Sequence, residues 1–102
     1  AFLELDLIAL KGKVLPERIY AVMGNTQYAT SARFQDLHAA HGELLTSYRA
    51  QDWPSASAKA RALSDTYEEM SGFYEMLTQR IKTYKDTPPD EDWDGRYIAL
   101  SK

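Results

Sequence analysis

Cysteine is absent from the 102 residues of this chain. Its absence excludes disulfide bonds and cysteine-ligated zinc or iron–sulfur centres, and it fits a reducing compartment. Long apolar runs are also lacking, because no segment approaches the roughly 20 residues that span a bilayer, and no signal peptide is recognisable. There is no excess of positive charge either, since the formal net charge is -3. We therefore expect no nucleic-acid partner and no direct membrane contact from this segment.

Several short motifs that accompany enzymatic chemistry are missing as well. The sequence has no P-loop, no dinucleotide-binding glycine pattern and no nucleophile elbow. What is present is ordinary globular material, with 44% hydrophobic and 26% charged residues. A chain of this length is expected to form one small domain around a single core.

Two β-prone segments lie near the start of the sequence. Residues 2–10 alternate in part between apolar and polar side chains, with the period of a half-buried strand. The positions expected on the apolar face are Leu3, Leu5, Leu7 and Ala9, with Glu4 and Asp6 on the other face. Residues 17–23 predict a second strand, and Gly12 and Pro16 suit the connection. The pattern predicts a β-hairpin, which needs further strands or helices packed against it to be stable in water.

The first of three predicted amphipathic helices follows this hairpin. Apolar residues recur at three- and four-residue steps from Phe34 to Tyr48. Ser31 is a suitable N-cap, so we place the helix over residues 31–50. Asp52 is the expected N-cap of the next helix.

The same three- and four-residue spacing continues without interruption to the end of the last predicted helix. Pro54 fits the first turn of a helix, where a missing N–H costs nothing. Asp65 and Glu68 resemble a capping box, which favours two helices, over 54–63 and 66–85. One continuous helix is the alternative. Antiparallel packing with short turns would bury the three apolar stripes against each other.

The last part of the chain begins with two consecutive prolines that end the third helix, Pro88 and Pro89. An acidic loop follows, and residues 96–101 are β-prone enough to add a short strand to the hairpin. The expected fold class is α+β, with an N-terminal hairpin, three helices in a tetratricopeptide-like antiparallel arrangement and a short C-terminal strand. The expected units are 1–24 (hairpin), 25–88 (helices) and 89–102 (acidic loop and strand).

Two histidines have a spacing that raises the question of a metal site. His38 and His41 lie one helical turn apart on the first predicted helix. Their three-residue step differs from the HExxH pattern, and no glutamate lies between them. Packing or partial exposure is the interpretation that we adopt for both residues.

A second candidate metal motif occurs near the C-terminus. Asp90, Asp92 and Asp94 precede Gly95 in the order that opens a calcium-binding loop. Ser101 stands at the twelfth position, where such a loop requires a bidentate glutamate. A turn into a final strand is therefore the preferred interpretation, and no metal site is predicted in this chain.

A short motif joins the two predicted strands. It consists of KGK at 11–13, then Pro16, then RIYAVMG at 18–24. The motif resembles the end of the catalytic domain of class III nucleotide cyclases, where a similar loop joins the last two strands of the α/β fold. The remainder resembles the C-terminal extension of bacterial membrane-bound adenylate/guanylate cyclases, often those with a CHASE-type sensor. That second likeness rests on Tyr48-Arg49-Ala50, Asp52-Trp53, Arg80-Ile81, Pro88-Pro89 and Asp92-Trp93-Asp94-Gly95.

The resemblance implies a parent enzyme that converts ATP to cyclic AMP as a homodimer with two Mg or Mn ions. The family's metal-binding aspartates and its transition-state and base-reading residues lie upstream and have no counterpart here. The 102-residue chain alone is therefore expected to be inactive. In the intact parent, a family lysine near this hairpin reaches the nucleotide phosphates, and Lys11 or Lys13 is the matching position. An ammonium group beside a glycine suits a triphosphate. The alternative is that both are solvated loop lysines.

The same resemblance implies where the chain belongs. It would be the C-terminal piece of a larger signal-transduction enzyme, with the rest of the catalytic domain as its immediate partner. The expected location is the cytoplasmic side, with any anchoring in the inner membrane supplied by other parts of the parent. The choice between ATP and GTP, the upstream sensor and the regulator stay open.

The helical part offers an alternative function of a different class. Tyr48, Trp53, Ala56, Ala60 and Leu63 resemble the tyrosine, aromatic and alanine positions of a tetratricopeptide repeat, although Tyr48 is one residue out of register when Ala56 is aligned. Such repeats stack in sets of at least about three, more than fit here. The alternative is therefore a helical interaction module without nucleotide chemistry, with a concave groove between its first two helices.

Overall fold

The computed structural model describes residues 1–10 and 15–99. In these residues a three-stranded sheet packs beside a layer of helices. The elements are β1 (Phe2–Leu10), β2 (Glu17–Val22), α1 (Thr26–Ala29), α2 (Ala32–Arg49), α3 (Trp53–Thr66), a 3₁₀ turn (Glu68–Met70), α4 (Ser71–Asp86) and β3 (Arg96–Ala99). The predicted α+β class is confirmed, with its hairpin, its three long helices and its C-terminal strand.

The sheet has the strand order β2-β1-β3. β1 pairs antiparallel with β2, so that Phe2 lies opposite Val22. β1 also pairs parallel with β3, so that Leu7 lies opposite Arg96. The C-terminal strand thus supplies the third strand that the hairpin needs, although all of the helices lie between the hairpin and this strand in the sequence.

One expectation for β1 is corrected by a register shift. Glu4 lies opposite Tyr20 and Asp6 lies opposite Ile19, which leaves Leu5 as the extra residue of a β-bulge. A bulge interrupts the alternation of side chains along a strand. Strict alternation places Asp6 on the polar face with Glu4, but Asp6 is buried, with 6% of its surface exposed.

The N-termini of α2 and α3 are capped as predicted. The Ser31 hydroxyl accepts a hydrogen bond from the Phe34 amide, and the Asp52 side chain accepts one from the Ser55 amide. These side chains satisfy backbone donors that have no partner within the helix. Pro54 lies in the first turn of α3, where it removes no helical hydrogen bond.

The predicted boundary between α3 and α4 is wrong. The capping box at Asp65 does not form, because α3 continues to Thr66 and a 3₁₀ turn at Glu68–Met70 separates it from α4. The residue that precedes α4 is Met70, which makes no side-chain cap hydrogen bond. Tyr67 and Met70 are both buried, with 7% of their surfaces exposed. Burial of these two side chains, rather than capping, therefore fixes the position of the break.

The core lies between the helices and reaches the sheet through β1. Ala56 and Ala60 are fully buried on α3, and small residues there allow α2 and α4 to approach it closely. Four aromatic residues form a cluster at one end of this core, with ring centroids 5.2–6.2 Å apart. The cluster consists of Tyr48, Trp53, Tyr84 and Trp93. It anchors the loop before β3 onto the helices.

Candidate functional site at the junction of sheet and helices

The two candidate site residues from the sequence, Lys11 and Lys13, lie outside the described residues. Their contact with phosphate therefore stays a prediction. The buried polar groups that the structure brings together from distant parts of the described chain lie along β1, where this central strand meets the helices. Three clusters form there, around Asp6, Glu4 and His41.

The first cluster is a buried ion pair. The Asp6 carboxylate accepts a hydrogen bond from Arg80 of α4, with an Oδ2–Nη1 distance of 2.7 Å, and a second from the Leu7 amide. Only 7% of the Asp6 side chain and 10% of the Arg80 side chain are exposed. The same Arg80 nitrogen donates to the Tyr48 hydroxyl at 3.3 Å, and the guanidinium lies 3.9 Å from the ring centre of Tyr97. Arg80 therefore connects β1, α2, α4 and β3.

The ionisation states in this cluster are fixed by its surroundings. Burial by itself would lower the pKa of Arg80, but the hydrogen bonds to Tyr48 and Asp6 outweigh burial and raise it. Burial raises the pKa of Tyr48, although its contact with Arg80 opposes this effect. Arg80 is thus held charged and Tyr48 neutral near pH 7. Groups whose charge does not change in this range suit a structural clamp better than proton transfer.

The second cluster contains one carboxylate and two arginines. Glu4 accepts hydrogen bonds from Arg18 of β2 and Arg49 of α2, each at 2.7 Å. Burial would raise the pKa of Glu4, but the bonds from Arg49 and Arg18 outweigh burial and lower it. The Arg49 side chain passes over Gly95, which has a φ of 96°. A Cβ atom at Gly95 would lie 2.5 Å from Arg49 Cγ. Glycine is therefore required there both because it tolerates a positive φ and because it leaves room for the Arg49 side chain.

The third cluster is centred on His41, which is 2% exposed. Its Nε2 atom lies within hydrogen-bond distance of the Glu4 carbonyl oxygen, and its Nδ1 atom lies 2.7 Å from the Tyr74 hydroxyl. Because a carbonyl oxygen only accepts, Nε2 must carry the proton and Nδ1 accepts from Tyr74. Burial lowers the pKa of His41, which keeps the ring neutral at pH 7. His38 is exposed on the same helix and shares none of these partners.

The two candidate metal motifs do not assemble into ligand sets. Within residues 1–10 and 15–99, no group of three or more His, Cys, Asp or Glu side chains is placed to hold a metal ion. Asp94 instead pairs with Arg96, at 2.8 Å between Oδ2 and Nη2. The Trp93 amide bonds to the Asp90 carbonyl oxygen, so the acidic segment forms a turn that leads into β3.

Comparison with known proteins gives no assignment, because no family model, no curated protein and no solved structure matches this chain. Within the described part of the chain, each helix is too short or too polar to cross a membrane. The function must therefore be inferred from the residues and their geometry.

The sequence alone did not predict the main polar contact of the molecule, the Asp6–Arg80 pair. These residues are separated by 74 positions, and Arg80 is one of several cations near the end of a helix. The available signal was an aspartate within an otherwise apolar strand. An acidic side chain in that setting needs a charged partner if the strand is covered.

Proposed function

We propose that this chain forms the C-terminal part of a class III adenylate/guanylate cyclase. In this proposal the hairpin completes the catalytic sheet, and the helices with β3 form an extension fastened to it. The parent enzyme converts ATP to cyclic AMP as a homodimer with two Mg or Mn ions. The 102-residue chain contributes structure and regulation, and the catalytic groups come from the rest of the enzyme.

The observation that carries this proposal is the outer face of the hairpin. Phe2, Tyr20 and Val22 are 65%, 53% and 72% exposed. The register places Phe2 opposite Val22 and Glu4 opposite Tyr20, two residues further along each strand, so these three apolar side chains share one face. These residues form an exposed apolar patch, bordered on the same face by Glu4 and its arginine partners. An exposed apolar patch favours contact with another protein layer.

The edge of the sheet supports the same conclusion. β2 is an outer strand of the described sheet, and its other edge makes no strand pairing there. Proteins usually cover or block such an edge, because its free N–H and C=O groups attract other strands. The helices and strands of an α/β catalytic domain would cover both the edge and the apolar face.

The inner side of β1 is held firmly by the helical extension. Leu3 is 1% exposed within the helical core, and Asp6 is bonded to Arg80. In the proposed parent, movement of the helices would therefore be transmitted to the hairpin. Lys11 and Lys13 lie in the sequence between β1 and β2. In the proposed parent enzyme, they are the residues expected to contact the phosphates of the nucleotide.

A cyclase assay tests this function directly. A protein extended upstream by about one domain length would be assayed for cyclic AMP with ATP and Mn²⁺ or Mg²⁺, beside the 102-residue chain. The Lys11→Ala/Lys13→Ala variant of the extended protein tests the phosphate contact. Lys82→Ala/Lys85→Ala on α4 is the matched control, because it removes the same charge away from the hairpin.

We expect activity in the extended protein alone, with a lower kcat/KM in the Lys11/Lys13 variant and no change in the Lys82/Lys85 control. A well-folded extended protein without cyclase activity would contradict the proposed function. Equal activity in both double variants would remove the phosphate role from Lys11 and Lys13 and leave the cyclase assignment in place.

A second candidate function is a helical interaction module, favoured by a groove between α2 and α3. The groove has a volume of about 380 Å³, and Ala40 and Leu63 contribute to its lining. Asp36 and Glu43 lie on the α2 side, and Lys59 lies on the α3 side. An apolar groove with charged margins is the form that helical peptide-binding modules use.

Blocking this groove separates the second function from the first. Ala62 is exposed at the groove, so an Ala62→Arg substitution would fill it without disturbing the core. If the module binds proteins through the groove, the variant should lose the partners that the original chain captures. Cyclase activity of the extended protein should be unaffected by the same substitution. Unchanged capture would contradict the interaction function.

A further inference from the structure

A second open cleft lies between the end of α4, the acidic turn and β3. Its volume is about 630 Å³. Three aromatic residues, Tyr84, Trp93 and Tyr97, line this cleft, and two acidic residues, Asp90 and Asp92, line it as well. The cleft is on a different part of the molecule from the outer face of the hairpin, so a ligand could bind there whether or not the chain belongs to a cyclase.

The charges around this cleft leave a local excess of negative charge. Arg96 lines the cleft but is paired with Asp94, and Arg80 next to Tyr97 is paired with Asp6. Within residues 1–10 and 15–99, Asp90 and Asp92 form no salt bridge and their carboxylates accept no hydrogen bond. Two exposed carboxylates beside aromatic rings favour a cation.

The aromatic walls specify the kind of cation. Arg80 already occupies one face of Tyr97, at 3.9 Å from the ring centre, so a ligand cation would need another aromatic surface of the cleft. The volume is far larger than a bare metal ion, and no metal-ligand cluster exists among the described residues. A cleft of this size suits a long organic cation and the chain that carries it, such as an arginine or lysine side chain in a peptide.

The strand beside the cleft suits an extended peptide. β3 is the outer strand on its side of the described sheet, and Ile98 is 54% exposed beside the cleft. Peptides that add to a sheet edge gain affinity from main-chain hydrogen bonds and specificity from side-chain pockets. We propose that the cleft formed by Tyr84, Trp93 and Tyr97 binds an arginine or lysine side chain of an extended partner segment that lies along β3.

Nuclear magnetic resonance of the full 102-residue chain can test this binding. The probe is a capped pentapeptide, Gly-Gly-Arg-Gly-Gly, and its control is the same peptide with glutamine in place of arginine. Trp93 lines the cleft, and its indole N–H signal reports binding there. The amide of Leu37, on α2 and outside the aromatic cluster, serves as the internal reference.

We expect saturable shifts at the Trp93 indole and the Tyr97 amide with the arginine peptide. Binding of the glutamine peptide should be weaker by about fivefold or more, because it lacks both the cation–π and the charge attraction. Equal affinity for the two peptides, or shifts confined to other parts of the chain, would overturn the proposal.

Two variants of the acidic turn complete the test. Asp90→Asn/Asp92→Asn should weaken binding of the arginine peptide roughly three- to tenfold, because two exposed carboxylates are lost. Glu91 lies between these two aspartates in the sequence but does not line the cleft. Removing its charge in Glu91→Gln should therefore leave the affinity for the arginine peptide nearly unchanged. If Glu91→Gln weakens binding of the arginine peptide as much as Asp90→Asn/Asp92→Asn does, the attraction is general and the cleft is not the site.

Discussion

The helical layer and the hairpin use their apolar residues in opposite ways. In the helices, Leu44, Leu77 and Ile81 are completely buried, and their partners lie within the same chain. In the hairpin, Phe2 and Val22 are more than half exposed on a shared face. The helices thus complete their own packing, while one face of the sheet does not. Among the described residues, six of the eight exposed large apolar residues lie in the strands, which is the pattern that the proposed docking of the hairpin predicts.

The strand between these regions belongs to both. β1 carries Phe2 on its outer face and Leu3 in the helical core, and Asp6 and Glu4 bind arginines from the helices. The polar contacts of β1 are not confined to the inner side, because Asp6 bonds to Arg80 of the helical layer, while Glu4, on the same face as Phe2, bonds to Arg18 and Arg49. Substitutions in the helices, at the junction and on the outer face should consequently differ in their cost to stability.

The largest effect is expected at the buried ion pair. Arg80→Met leaves the Asp6 carboxylate buried without its partner, and such a loss costs about 3–5 kcal/mol in unfolding free energy. Lys82→Met, at an exposed position of the same helix, should change it by less than about 0.5 kcal/mol. Denaturant unfolding monitored by circular dichroism measures both. The double variant Asp6→Leu/Arg80→Met should recover part of the loss, and a double variant no better than Arg80→Met would contradict this explanation.

The next prediction compares the helical core with the outer face of the hairpin directly. Leu77→Ala in the helical core should lower the unfolding free energy by about 3 kcal/mol, because it removes buried methyl groups and leaves a cavity. Val22→Ala on the outer face of the same chain should change it by less than about 0.5 kcal/mol. Equal losses in chemical unfolding would show that the outer face is packed, contrary to its exposure.

A smaller effect is expected at the glycine beneath Arg49. Gly95→Ala should destabilise the chain by about 1–3 kcal/mol, because a positive φ and a 2.5 Å approach to Arg49 Cγ are both unfavourable for alanine. Gly72→Ala is the matched control, because a Cβ atom there meets nothing within 4 Å and lies in α4. It should stabilise the helix by about 0.5–1 kcal/mol. Thermal melts should therefore shift in opposite directions, and a shift in the same direction would be inconsistent with the structure.

The smallest effect concerns His41. Its pKa in the folded chain is lowered from 6.5, so the unfolded chain binds a proton more readily. Stability from this residue is complete above about pH 6.5 and is lost as the pH falls from there towards the lower folded pKa. Unfolding free energies measured between about pH 7.5 and 5.5 should decrease in the original chain and decrease less in His41→Gln. Parallel curves for the two proteins would show that His41 does not titrate abnormally.

Much of the secondary structure could be predicted because its signals are local. The caps at Ser31 and Asp52 and the apolar spacing of the helices depend on residues a few positions apart. The boundary at Tyr67 could not be found in the same way, because it depends on which side chains the neighbouring helices bury. The bulge at Leu5 likewise depends on how β1 pairs with β2 and on the bond between Asp6 and Arg80.

The candidate site was predictable to a smaller extent. Lys11 and Lys13 came from a family resemblance and stay predictions, while Asp6, Glu4 and His41 are held by contacts between residues 14–74 positions apart. Such pairs carry no local pattern, since a carboxylate and a guanidinium can meet from any two elements. An unusual residue in an apolar strand indicates that a partner exists, but its identity needs the fold.

The most direct test of the docking function of the hairpin is amide hydrogen exchange along β2. Exchange rates at residues 17–22 would be compared between the 102-residue chain and the upstream-extended protein, with α3 as the internal reference. We predict rapid exchange at the free β2 edge in the short chain and strong protection in the extended protein, while α3 exchanges equally in both. Equally rapid exchange of β2 in the two proteins would mean that nothing covers this edge, and it would contradict the assignment of the hairpin to a larger catalytic sheet.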